Sequence, residues 1–225
     1  MASIYRSATL VPSKADLLRS LISSRSWTGG ADPVSITLVG AYRFDDPDGE
    51  VGMETHLVEL GEGKVLQIPF TYRNAAMPGG DKFLIATAEH SVLGTRWIYD
   101  GLRDPVFLNA LATCILCGGK QAELENISDT GSERGESATK VSGTGVDSTP
   151  PSLLGNASYS KVGATTIIRH GALELTVFGE PVFGEPVFSE PEVGRAIQAS
   201  DAVQRLLGTW PGQDEPTVLA LAQYS

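Results

Sequence analysis

Apolar positions along the chain fall into two periodicities. Near the N-terminus, Ser13-Lys14-Ala15-Asp16 offers a serine cap with an acidic residue three positions later. Leu17, Leu18, Leu21 and Ile22 then share one helical face, and Trp27, Gly29 and Gly30 end the helix. Three strand-like runs follow. Val34 to Phe44 ends at the turn Asp45-Asp46-Pro47-Asp48-Gly49, Val51 to Leu60 ends at Gly61-Glu62-Gly63, and Val65 to Tyr72 completes a meander. Short connections predict antiparallel neighbours. Phe83–Ala88 and Thr95–Tyr99 predict two further short strands. Asp104 then caps a helix with Pro105 at its first position, running to about Cys117 on the stripe Val106, Leu108, Leu111, Ile115 and Leu116.

Beyond Gly118 the pattern changes. Ser, Thr, Gly, Asp and Glu dominate to about Ser160, and such a segment is expected to bury too little to offset its ordering entropy. Two hairpins are expected after it. Thr165–Ile168 and Leu173–Phe178 flank Arg169-His170-Gly171-Ala172, and Val203–Trp210 and Val218–Ala222 flank Pro211 to Pro216. A short helix over Asp201–Leu207 is the alternative for part of the second. Val-Phe-Gly/Ser-Glu-Pro occurs three times between Val177 and Pro191, and prolines at period five argue against a central strand there. A surface-loop duplication is preferred to a Phe-studded ligand for a partner.

These elements predict an α+β fold: an N-terminal helix packed on an antiparallel meander, then a strand-helix unit and a C-terminal β-hairpin region. The expected organisation is a domain over 1–117, a flexible linker or long loop over 118–160, and a hairpin-rich part over 161–225 packing on the same sheet.

Composition narrows the function. The chain has 225 residues, 41% hydrophobic and 20% charged, with a formal net charge of −10. Its 17 basic residues are scattered, which argues against nucleic acid and against anionic membrane surfaces. No apolar run approaches the ~18 residues of a membrane span, and Met1–Arg6 has no secretory apolar core, so cytoplasmic residence is expected. Cys114 and Cys117 have CxxC spacing but no second ligand pair, and a buried apolar role is preferred to zinc or redox chemistry.

Leu93-Gly94, Tyr99-Asp100-Gly101 and Asp104-Pro105, with the Leu-rich helix and the meander before them, form a set that resembles the N-terminal cap of actinobacterial maltokinases and related sugar kinases. The resemblance covers about the first 117 residues and implies a cystatin-like cap. In those kinases a separate C-terminal lobe carries a His-Gly-Asp catalytic loop, a downstream Asn and a metal-binding Asp motif. The only His-Gly of this sequence is His170-Gly171, followed by Ala172, so no catalytic residue is carried over and no cofactor or metal is implied.

Nor do the residues themselves offer a GxGxxG after a strand, a Walker loop, an HExxH or a GxSxG. Gly143-Thr144-Gly145 lies in low-complexity sequence and does not read as a phosphate cradle. Asp45, Asp46, Asp48 and Glu50 lack EF-hand spacing and read as a solvated turn. One compact polar cluster remains: Glu89, His90, Arg96 and Asp100. Glu89 orienting His90, with Arg96 receiving an anionic or hydroxyl-rich ligand, is its functional reading; turn-stabilising bonds are the structural one. Tyr99, Asp104 and Pro105 are expected to be architectural, Asp104 as a cap worth about 1 kcal/mol. The expected function is a non-catalytic cap-like module binding or modulating a protein partner, a sugar kinase or glucan-active enzyme. The rivals are a small-molecule binder for sugar or sugar phosphate, and a cryptic enzyme built on Glu89, His90 and Arg96.

Overall fold

The computed structural model describes residues 2–5, 7–24, 36–61, 63–128, 131–151, 153, 157–183 and 203–224. Its first strands, β1 (Ala2–Tyr5) and β2 (Leu10–Val11), precede helix α1 (Lys14–Ser23). Ser13 caps α1 in a capping box with Asp16. The meander is β3 (Thr37–Phe44), β4 (Gly52–Glu59) and β5 (Val65–Arg73), followed by β6 (Leu84–His90) and β7 (Gly94–Asp100). These strands form one antiparallel sheet in the order β2-β6-β7-β5-β4-β3. Helix α2 (Pro105–Leu116) comes next, with Asp104 as its cap.

Past α2 lie β8 (Leu124–Ser128), β9 (Gly131–Gly135), β10 (Lys140–Gly143), β11 (Ser158–Val162), β12 (Thr165–His170), β13 (Leu173–Val182), β14 (Gln204–Trp210) and β15 (Gln213–Tyr224). A second antiparallel sheet has the order β10-β14-β15-β13-β12-β11, and a small third sheet the order β1-β8-β9.

Strands account for 54% of the structure and helices for 15%, so the fold is mainly β and the expected α+β, cystatin-like class is overturned. The helices were legible, but the extent of sheet was not. Residues 118–160 hold three strands and the start of a fourth, where a linker was expected. β9 and β11 pair with the adjacent β8 and β12, but the other partners are remote in sequence: β8 pairs in parallel with β1, and β10 pairs with β14. Local composition carries no trace of such pairings.

The same segment closes the end of α2. Gly145 N–H donates to Ile115 O and Asp147 N–H to Leu116 O, supplying donors that a helix C-terminus otherwise lacks. A Cβ on Gly145 would sit 2.0 Å from Leu116 O, so only glycine lets the backbone come this close. The hairpins β12–β13 and β14–β15 formed as the sequence pattern suggested, with β14 in place of the alternative helix at Gln204–Leu207. They build their own sheet instead of extending the first. Pro181 lies inside β13, contrary to the expectation for the repeat, where the pairing with β15 shifts register between Val177 and Val182. Gly184–Pro191, and the helix-ending Trp27, Gly29 and Gly30, lie outside the described residues.

The first sheet is covered on both faces. Leu17, Leu18 and Ile22 of α1 pack on Val58, Leu66, Ile68 and Phe70. On the opposite face Tyr42, Met53 and Leu57 share a core with Phe107, Leu111 and Ile115 of α2 and with Leu175, Leu206 and Leu219 of the second sheet. Gln67 crosses between the sheets, its amide donating to Phe178 O at 2.9 Å and Leu219 O at 3.0 Å. The 22-residue core cluster therefore holds residues from both sides of residue 117. Among the described residues no helix is long and apolar enough to cross a membrane.

Candidate ligand-binding site

Strand alternation decides what becomes of the sequence-predicted cluster. Glu89 pairs with Thr95 and His90 with Gly94, so Glu89 and His90 project to opposite faces of the sheet. The Glu89 carboxylate accepts from Thr95 Oγ1 at 2.7 Å, and it is not brought to His90. Asp100, at the far end of β7, accepts from Leu102 N–H at 3.1 Å. His90 and Arg96 share the α1 face as diagonal neighbours across β6 and β7. The structure thus joins two of the four predicted residues and separates the others.

His90 and Arg96 border a cavity of about 230 Å³ together with Lys14, Arg43, Glu54, Tyr72 and the β1 strand. Glu54 is the group that sequence reasoning missed. It lies on β4, where six consecutive residues are buried. Its carboxylate accepts from Lys14 Nζ at 2.6 Å and Arg43 Nη2 at 3.0 Å, and Tyr72 Oη donates to it at 3.4 Å. Arg43 also donates to Ser3 O at 3.1 Å, tying the wall formed by β1 to the sheet. Two ionisable residues two positions apart on an apolar strand, Glu54 and His56, were the available signal.

His56 is fully buried beside this carboxylate, its Nε2 3.3 Å from Tyr72 Oη and 3.7 Å from Glu54. Burial pushes His56 down to about 4 against the opposing pull of Glu54, so the ring is neutral at pH 7. Burial by itself would raise Glu54, but His56, Arg43 and Lys14 hold it well below the ordinary carboxylate range. His56 adds to this only where it is protonated, so at neutral pH Lys14 and Arg43 keep Glu54 ionised. His90 Nδ1 accepts from Val92 N–H at 3.2 Å and Leu93 N–H at 3.1 Å, which leaves Nε2 as the donor of the neutral ring. Burial, then Arg96 and Lys14, lower the His90 pKa.

A second carboxylate cluster lies on the other face. Asp104 is 0% exposed and receives a fork from Arg73, Nε to Oδ2 and Nη2 to Oδ1, both at 2.7 Å. Thr71 Oγ1 donates at 2.8 Å and Val106 N–H at 3.0 Å. Four donors on two oxygens close this site. Tyr99 is likewise 0% exposed, its hydroxyl accepting from Met77 N–H at 2.9 Å, and Pro105 starts α2. Arg73 and Thr71 were missed because β5 gives no local sign of which helix its residues will meet.

Elsewhere, Asp46 accepts from the backbone N–H groups of Asp48, Glu50 and Val51, which turns the acidic loop into a self-capped turn. Cys114 is buried and its thiol is pushed up to about 12 by that burial. Among the described residues no group of three or more His, Cys, Asp or Glu is placed to hold a metal ion.

These features define a β-sheet module with a closed polar seam at Asp104 and an open polar cavity beside Glu54. Residues 22–104 match the family model of the maltokinase N-terminal cap domain, so the chain contains a maltokinase cap-like region. No curated protein matches the chain.

Proposed function

We propose that this chain is a cap-like module that works by binding, without group-transfer chemistry of its own, and that it acts on a protein partner in sugar or glucan metabolism. The carrying observation is the continuity of the cap-like region with the C-terminal half of the chain. The matched region ends at Asp104, whose side chain starts α2, and α2 shares its core with the second sheet. A body of packed sheets presents surface, and at the Asp104 seam Arg73, Thr71 and the Val106 N–H are engaged in holding it together.

The test uses the purified chain with ATP, magnesium and maltose or glucosamine, followed by calorimetric titration against a maltokinase catalytic lobe stripped of its own cap. The reading expects no sugar-dependent ADP formation and saturable binding to the lobe. Sugar-dependent turnover that persists through purification contradicts the non-catalytic half, and no heat of binding contradicts the partner half. A second reading, a small-molecule site for a sugar or sugar phosphate, is supported by the cavity that gathers Lys14, Arg43, His90 and Arg96.

A further inference from the structure

The walls of this cavity carry an excess of positive charge inside an acidic protein. Three cationic side chains, Lys14, Arg43 and Arg96, face a single carboxylate, Glu54, while the whole chain carries −10. Lys14 and Arg43 already share that carboxylate at 2.6 and 3.0 Å. Tyr72 leans on the same group, so the one negative charge of Glu54 is already shared between two cations and a hydroxyl. Arg96 makes no ion pair among the described residues. One of its terminal nitrogens donates to Leu93 O, and its Nε is buried without an acceptor. That Nε is a buried donor an anion entering the cavity can satisfy, while the rest of the partly exposed guanidinium stays open to it.

We propose that this cavity binds a small oxyanion, a phosphate group held between Arg96, His90 Nε2 and the outer flank of the Lys14–Glu54–Arg43 cluster. Charge excess selects the sign of the ligand, because a neutral sugar alone gives Arg96 no counter-charge. Planar, multi-donor guanidinium geometry suits tetrahedral phosphate oxygens. Size selects against nucleotides: about 230 Å³ lies below the ~300–1,000 Å³ of typical organic-ligand pockets, which leaves room for phosphate or a short phosphomonoester. This inference rests on the small-molecule reading and specifies its chemistry; it is independent of any protein partner.

The experiment is calorimetry and thermal melting of the full chain with inorganic phosphate, glycerol 3-phosphate and glucose as separate probes. The proposal expects saturable binding of at least one phosphate probe and none of glucose. Arg96→Gln should weaken that binding about tenfold or more, the loss expected for a charge-assisted contact. Arg96→Lys, which keeps the charge, should retain most of it, and both variants should melt close to the parent without ligand. Tighter binding of the ester than of inorganic phosphate assigns the ligand to esters, and equal binding assigns it to the bare anion. Binding of glucose but of neither phosphate overturns the oxyanion and leaves the small-molecule reading standing. No response to any probe overturns both, and phosphate binding unchanged in Arg96→Gln overturns the assignment to this cavity.

Discussion

Two buried carboxylates sit on opposite faces of one sheet, and three consecutive residues of β5 serve both. Thr71 and Arg73 point to Asp104, while Tyr72 points to Glu54. At Asp104 four donors meet the two carboxylate oxygens, no further cation is left over, and exposure is nil. At Glu54 the cations outnumber the acceptor and open onto a cavity, with Lys14 still 39% exposed. The same chemical pair, a guanidinium and a carboxylate, therefore serves two ends. Where donors and acceptors balance, it fixes a helix to a sheet; where they do not, it leaves charge that a ligand can use.

That contrast is broken most forcefully at the closed seam. Asp104→Ala strands the Arg73 guanidinium and removes the cap of α2 together. Losing one partner of a buried pair costs about 3–5 kcal/mol, which for a chain of this size lowers the melting temperature by roughly 10 °C. A cap alone would cost about a third of this, so calorimetric melting separates the two accounts.

His56 supplies the next largest effect. Its folded pKa of about 4 lies below the ordinary 6.5, so between these values the unfolded chain binds more protons than the folded one. Stability from this group is complete above pH 6.5 and declines as pH falls toward 4, by on the order of 3 kcal/mol. His56→Gln should flatten denaturant-measured stability across that window; a slope retained in the variant would assign it to other groups.

Tyr99→Phe should cost less, about 1–3 kcal/mol, because it leaves the Met77 N–H without its acceptor at 2.9 Å. Tyr99→Ala should cost about 3–5 kcal/mol through the cavity it leaves. Equal losses in the two variants would mean that the hydroxyl, not the ring, carries Tyr99's contribution.

How much of this was legible in the sequence depends on the range of the interactions. The capping box Ser13–Asp16, the Asp104–Pro105 helix start and the meander turns depend on residues a few positions apart, and they read directly. Of the strands between Gly118 and Ser160, β8 and β10 depend on β1 and β14, the first near the N-terminus and the second more than 60 residues downstream, and they read as loop. With the strands of this segment went part of the fold class, since they build the third sheet with β1 and supply both edges of the second. The cavity was half legible. His90 and Arg96 stood in one run, but Lys14, Arg43 and Glu54 come from a helix and two other strands, and only the sheet register brings them together. Glu89 was read beside His90 because it is adjacent in sequence, and strand alternation sends it to the opposite face.

The most direct test compares the two arginines under one ligand. Melting temperature is followed against inorganic phosphate for Arg73→Gln and Arg96→Gln in parallel. The closed-and-open account predicts that Arg73→Gln starts several degrees low yet keeps the phosphate-induced rise of the parent. Arg96→Gln should start at the parent value and lose that rise. The reverse outcome, a phosphate response abolished by Arg73→Gln and intact in Arg96→Gln, would contradict the assignment of structure to one face and binding to the other.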